Sequence, residues 1–92
     1  MKVAFTQHAM ARLGALHEDD SREARDLVRR LRSASSPVGK RIGGDAQTYE
    51  ASLSNKGVLI RYDVHNSVAT VEIVMSAAMR ERTASDRERN EP

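Results

Sequence analysis

The hydrophobic period of this chain changes once, at Gly39, and that change limits the available folds more than any other feature. Before it, apolar residues return every three or four positions; after it, they alternate. Ala24, Leu27, Val28 and Leu31 repeat at i, i+3, i+4 and i+7 with arginines on the other side, which predicts an amphipathic helix. It should end within Ser33–Pro37, where the SASSP stretch disfavours a helix and Pro37 disfavours the helical conformation at Ser36. An earlier helix is predicted with Thr6 as its cap and Ala9, Met10, Leu13 and Leu16 on its buried face. Gly14 weakens that helix by ~1 kcal/mol relative to alanine. Asp20 with Glu23 three residues on reads as a capping box for the second helix, with Ser21 as the alternative cap.

Residues 2–6 form a short apolar run with a β-branched residue and read as a first strand. Beyond Gly39, three alternating runs follow. They place Tyr49, Ala51 and Leu53 on one face, then Val58, Ile60, Tyr62 and Val64, then Ala69, Val71, Ile73 and Met75. Residues 54–57 and 65–67 supply the turns between them. The expected architecture is therefore α+β: an N-terminal strand, a two-helix hairpin, then an antiparallel three-stranded meander with the helices on one face. With 92 residues this is one domain, expected over residues 1–82, with 83–92 a polar tail expected to be disordered.

The absence of cysteine removes disulfide scaffolds, thiol nucleophiles and thiolate metal sites. His8, His17 and His65 lack the paired spacing of metal ligands, so neither a metal nor another cofactor is expected. No apolar run is long enough to span a membrane, which predicts a cytoplasmic protein. His65 reads as a surface turn residue, and Tyr49 and Tyr62 as core residues with their hydroxyls at an edge.

The net charge of +2 is unevenly spread. Arg22, Arg25, Arg29, Arg30, Arg32, Lys40 and Arg41 face only Glu23 and Asp26, so residues 21–41 carry +5. This belt predicts an anionic partner, the alternative being a solvated helix face.

The element order, together with the stretch GKRIGGDAQTYEASLSNKGVLIRYDV, resembles the RelE/ParE superfamily of bacterial toxins. The shared pattern is a basic residue, an apolar residue and glycine before a turn, then an aromatic opening a strand. A hairpin and a second strand ending in an apolar–apolar–tyrosine group follow. RelE-like members are ribosome-dependent ribonucleases that cleave mRNA without metal, so cations must stabilise the charge that develops at phosphorus. The chain departs from that branch in several places. Its two strand lysines are here Glu50 and Ser52, its arginine is Leu59, and its C-terminal tyrosine falls near Asp86.

Arg80 matches the family arginine after the last strand, and Arg82 follows it. Arg61 lies two residues from Leu59, on the same strand face and about 7 Å along. The resemblance thus implies Arg61 and Arg80 as catalytic groups, with Lys40, Arg41 and Arg82 binding nucleic acid. The alternative for Arg61 is an ion pair with Glu50 or Glu72, and for Lys40 and Arg41 a solvent-exposed loop. The leading expectation is a growth inhibitor acting on translation by mRNA cleavage. The alternative is a non-catalytic inhibitor of a protein, either gyrase in the ParE manner or a host protein blocked by a toxin-fold module of viral origin. Either implies an antitoxin, and Arg22, Arg25, Arg29 and Arg30 are the expected acceptors of its acidic tail. The chain would then be a monomer or part of a toxin–antitoxin hetero-oligomer.

Overall fold

The computed structural model describes residues 1–43, 47–54, 57–80 and 82. Strand β1 (Lys2–Phe5) leads into helices α1 (Gln7–Gly14) and α2 (Glu18–Ser33). Strands β2 (Lys40–Ile42), β3 (Thr48–Ser52), β4 (Leu59–His65) and β5 (Val68–Met75) follow. The expected tail at residues 83–92 lies outside the described residues, as do residues 55 and 56 of the β3–β4 turn.

The α+β class and the element order stand, but the sheet has five strands in the order β1-β5-β4-β3-β2 rather than three. The β3-β4-β5 meander is its centre, β1 joins β5 in parallel, and β2 pairs antiparallel with β3. Lys40 and Arg41 therefore lie in a strand and not in a loop. Three residues are too few to show alternation, so β2 leaves no periodic trace. Its geometry comes from the glycines flanking it: Gly39 has φ +96° and Gly43 φ +82°. A Cβ on Gly39 would also stand 2.0 Å from the backbone oxygen of Glu50.

The core lies between the helices and one face of the sheet. Ala24, Leu27 and Leu31 of α2 and Ala9 of α1 meet Ala51, Ile60, Tyr62, Ala69, Val71 and Val74. The strand β5 alternation breaks midway. Tyr62 pairs with Val71 while Arg61 pairs with Ile73, so Glu72 is the extra residue of a β-bulge. The bulge brings Val74 into the core (2% exposed) and leaves Ile73 and Met75 only half-buried, against the expected phase.

Thr6 caps α1 as expected, its hydroxyl accepting from the Ala9 amide. Gly14 sits at the helix end rather than within it, and Met10 faces solvent at 57% exposure instead of the core. The expected capping box on Asp20 does not form. Helix α2 begins earlier, with His17 at the N-cap and no side-chain cap bond. Glu18, Asp19 and Asp20 occupy the first turn, where the helix dipole favours them. Tyr62 fastens the crossing from α2 to β2, since its hydroxyl donates to the Val38 carbonyl and accepts from the Val38 amide. Burial raises the Tyr62 pKa, with the Val38 hydrogen bond opposing. No described helix is long and apolar enough to cross a membrane.

Candidate functional site

The face of the sheet turned away from the helices carries a set of charged side chains fixed by strand register. Lys40 stands opposite Glu50, Glu50 opposite Arg61, and Arg61 opposite Ile73, making one row across four strands. Arg61 Nη2 donates to Glu50 Oε2 at 2.8 Å, with the two side chains 39% and 27% exposed. Glu50, not Glu72, is thus the partner of Arg61. The Arg61 Nε is buried without a hydrogen-bond partner.

A second row holds Thr48, Asp63 and Thr70. The Thr48 hydroxyl donates to Asp63 Oδ1. The bulge brings Glu72 beside Asp63, and the hydrogen bond between the two carboxyls holds the Glu72 pKa up, with desolvation and charge repulsion adding to it. This pair escaped the sequence reading. Its signal was weak: both residues sit on the polar phase of neighbouring antiparallel strands, but strict alternation does not foretell the bulge that joins them.

Arg80 lies in a helical turn at residues 77–80, its amide donating to Ser76 O at 3.1 Å. Its Nη1 donates to the carbonyls of Ser54 (3.1 Å) and Gly57 (2.8 Å), gripping the β3–β4 hairpin from outside. Glu23 of α2 presses on the same glycine, where a Cβ would lie 1.9 Å from its Oε1. Arg82 is elsewhere, on a cavity of about 230 Å3 that it shares with Arg12, His17, Asp20 and Met79. Arg41 pairs with Tyr49, whose side chain faces the helices, so it sits on the opposite face from Lys40. Of the expected nucleic-acid and catalytic residues, register joins Lys40 and Arg61 through Glu50. Arg41, Arg80 and Arg82 are placed at three other positions. Among the described residues, no three His, Asp or Glu side chains converge as metal ligands.

The arginines of α2 do form a belt. Arg22 pairs with Glu18 at 3.0 Å and Arg29 with Asp26 at 3.4 Å, both largely exposed contacts of small energetic weight. Arg25, Arg29 and Arg32 rim a groove of about 350 Å3 with Phe5, Leu13 and Val28 beneath. Arg30 is exposed on the same helix.

Solved structures share this fold. The chain has the RelE-like toxin fold. Isolated E. coli RelE toxin is 22% identical with a TM-score of 0.65, and the match covers 96% of each chain. The intact E. coli RelBE toxin–antitoxin complex is also 22% identical, with a TM-score of 0.62 over 82% of this chain and 94% of that one. A double arginine-to-alanine mutant of E. coli RelE, bound to a peptide of the antitoxin RelB, is 22% identical with a TM-score of 0.63 over 92% of each. At that identity the likeness is one of fold. No protein-family model matches the sequence, and no curated protein does.

Proposed function

We propose that the chain is a toxin-type growth inhibitor of the cytoplasm, neutralised by an antitoxin, and that it acts by occupying a protein target. The observation that carries this reading is the likeness to RelE along nearly the whole chain, combined with the arginine-rimmed groove on α2. Solved RelE structures are described in complex with their antitoxin. An acidic amphipathic antitoxin segment suits a groove with Phe5, Leu13 and Val28 at its base and Arg25, Arg29 and Arg32 on its rim. Action by binding rather than cleavage is favoured by the state of the two candidate catalytic arginines. Arg61 is paired with Glu50, and Arg80 is spent on hairpin carbonyls. Metal-free phosphoryl chemistry needs cations held ready for the developing charge. An open face on which Glu50, Asp63 and Glu72 offset Lys40 and Arg61 supplies little of that.

A second reading, ribosome-dependent mRNA cleavage, draws on one observation. The unpartnered Arg61 Nε is a donor that an incoming phosphate oxygen would satisfy. Induced expression with growth and total-RNA analysis separates the readings, comparing the wild type with Arg61→Ala/Arg80→Ala. Arrest without cleavage, unchanged in the double variant, supports a bound protein target. Codon-periodic cleavage that the double variant loses replaces it with the nuclease. Failure to arrest growth removes the toxin reading altogether.

A further inference from the structure

The open face of the sheet has no helix over it, yet it is not a plain solvated surface. Leu59 stands directly across the ladder from Met75, and Ile73 across from Arg61, so three apolar side chains adjoin there. All three are half-buried, and none belongs to the core cluster or packs against it.

The charges beside them follow an order. Lys40, Glu50 and Arg61 share one row from β2 to β4, and the bulge sets Glu72 at its β5 end. The signs therefore run plus, minus, plus, minus across four neighbouring strands. In the middle, Arg61 and Glu50 are already paired at 2.8 Å. The two ends are unequal. At the β2 end Lys40 is exposed and makes no ion pair among the described residues. At the β5 end Glu72 and Asp63 set two carboxyls side by side.

One end thus holds a spare cation and the other an excess of acid. A row of this kind is matched by its own reversal. A uniformly acidic or basic partner, nucleic acid included, meets like charge at one end of it, and like-charge contacts suppress association.

We propose that the open face is an isologous interface between two copies of this chain, packed sheet against sheet about a two-fold axis that runs along the strands between β3 and β4. That operation lays β2 over the other copy's β5, and β3 over its β4. Lys40 then faces the other copy's Glu72 and Asp63, and Arg61 faces its Glu50, each contact occurring twice. The two Leu59 side chains meet beside the axis, about one strand spacing apart (~4.8 Å), with Met75 and Ile73 flanking them. Four short strands bury on the order of 1,000 Å2 in total, the low end for a specific interface, which predicts a dissociation constant in the micromolar range. The helices and the arginine-rimmed groove stay outside, so the inference stands whether or not that groove receives an antitoxin.

The test is sedimentation of the full chain from about 1 μM to about 1 mM, with amide NMR over the same range, which spans weak interfaces. The wild type should pass from monomer to dimer, with concentration-dependent shifts at Glu50, Leu59 and Ile73 and none along α2. Leu59→Ser should weaken the dimer about tenfold, since each dimer loses two buried leucines. Lys40→Glu and Glu72→Lys should each weaken it about tenfold or more, because like charges then face each other twice. An equimolar mixture of those two variants is the decisive arm. Opposite charges face again at both contacts, so the mixture should recover the affinity of the wild type. A mixture no tighter than either variant alone, with both variants melting like the wild type, overturns the inference. So does a wild type that stays monomeric over the whole range, or one whose shifts fall on α2, and neither result depends on a variant folding.

Discussion

The two faces of the sheet are built on different principles. On the helix side, Leu27, Leu31, Ile60, Tyr62 and Val71 are at most 1% exposed, and the Tyr62 hydroxyl has partners for both its donor and its acceptor roles. On the open side, Arg61 pairs with Glu50 yet leaves Nε unpartnered, and the neighbouring Asp63 carboxyl holds the Glu72 pKa up. The inner face holds the core that packs the helices on the sheet, and the fold it supports is shared with RelE at 22% identity. The outer face can vary without loss of fold, which is why chemistry does not follow from the likeness alone.

The largest expected effect lies inside. Leu31→Ala removes a side chain with 0% exposure and should cost about 3 kcal/mol in denaturant unfolding. A smaller loss than that of Glu50→Ala would break the contrast between the faces. Next comes Gly39→Ala, where positive φ and the approach to the Glu50 carbonyl combine to cost about 2 kcal/mol. Tyr62→Phe leaves both polar groups of Val38 unpaired and should cost about 1.5 kcal/mol, read in the same unfolding experiment. The wild type should also lose the Tyr62 contribution as pH rises above ~10 through its raised pKa, a loss the phenylalanine variant lacks.

The smallest effect has the opposite sign. The Glu72 pKa is raised in the folded state, so its contribution is present below the ordinary value of 4.5 and fades as pH climbs through the raised one. Glu72→Gln should therefore raise the melting temperature at pH 7 and do less at pH 4. A gain of equal size at both values would mean that Asp63 does not hold the Glu72 pKa up.

These contrasts also mark what the sequence could disclose. Helix α2 was legible because four apolar residues at helical spacing can be satisfied in only one way, and Thr6 was legible because a cap needs only its own next turn. Strand β2 was not, being three residues defined by the backbone twist of two glycines. The bulge was hidden because Glu72 looks like an ordinary polar position until its neighbours are known. In the candidate site, the Arg61–Glu50 pair could be foreseen as one alternative of strand register. The Arg80 grip on Ser54 and Gly57 could not, because backbone carbonyls are the same in every residue.

The parallel pairing of β1 with β5 bears on how the molecule is made. Lys2 meets Val68 and Phe5 meets Val71, so the first strand synthesised must wait for the last. At ~5–20 residues per second, translation keeps that partner out of reach for several seconds after β1 emerges. Through that interval the growing chain has its helices but no complete sheet, and the two faces compared above do not yet exist. Whatever the finished sheet does, it can do only once residues 68–71 have been made and paired with β1.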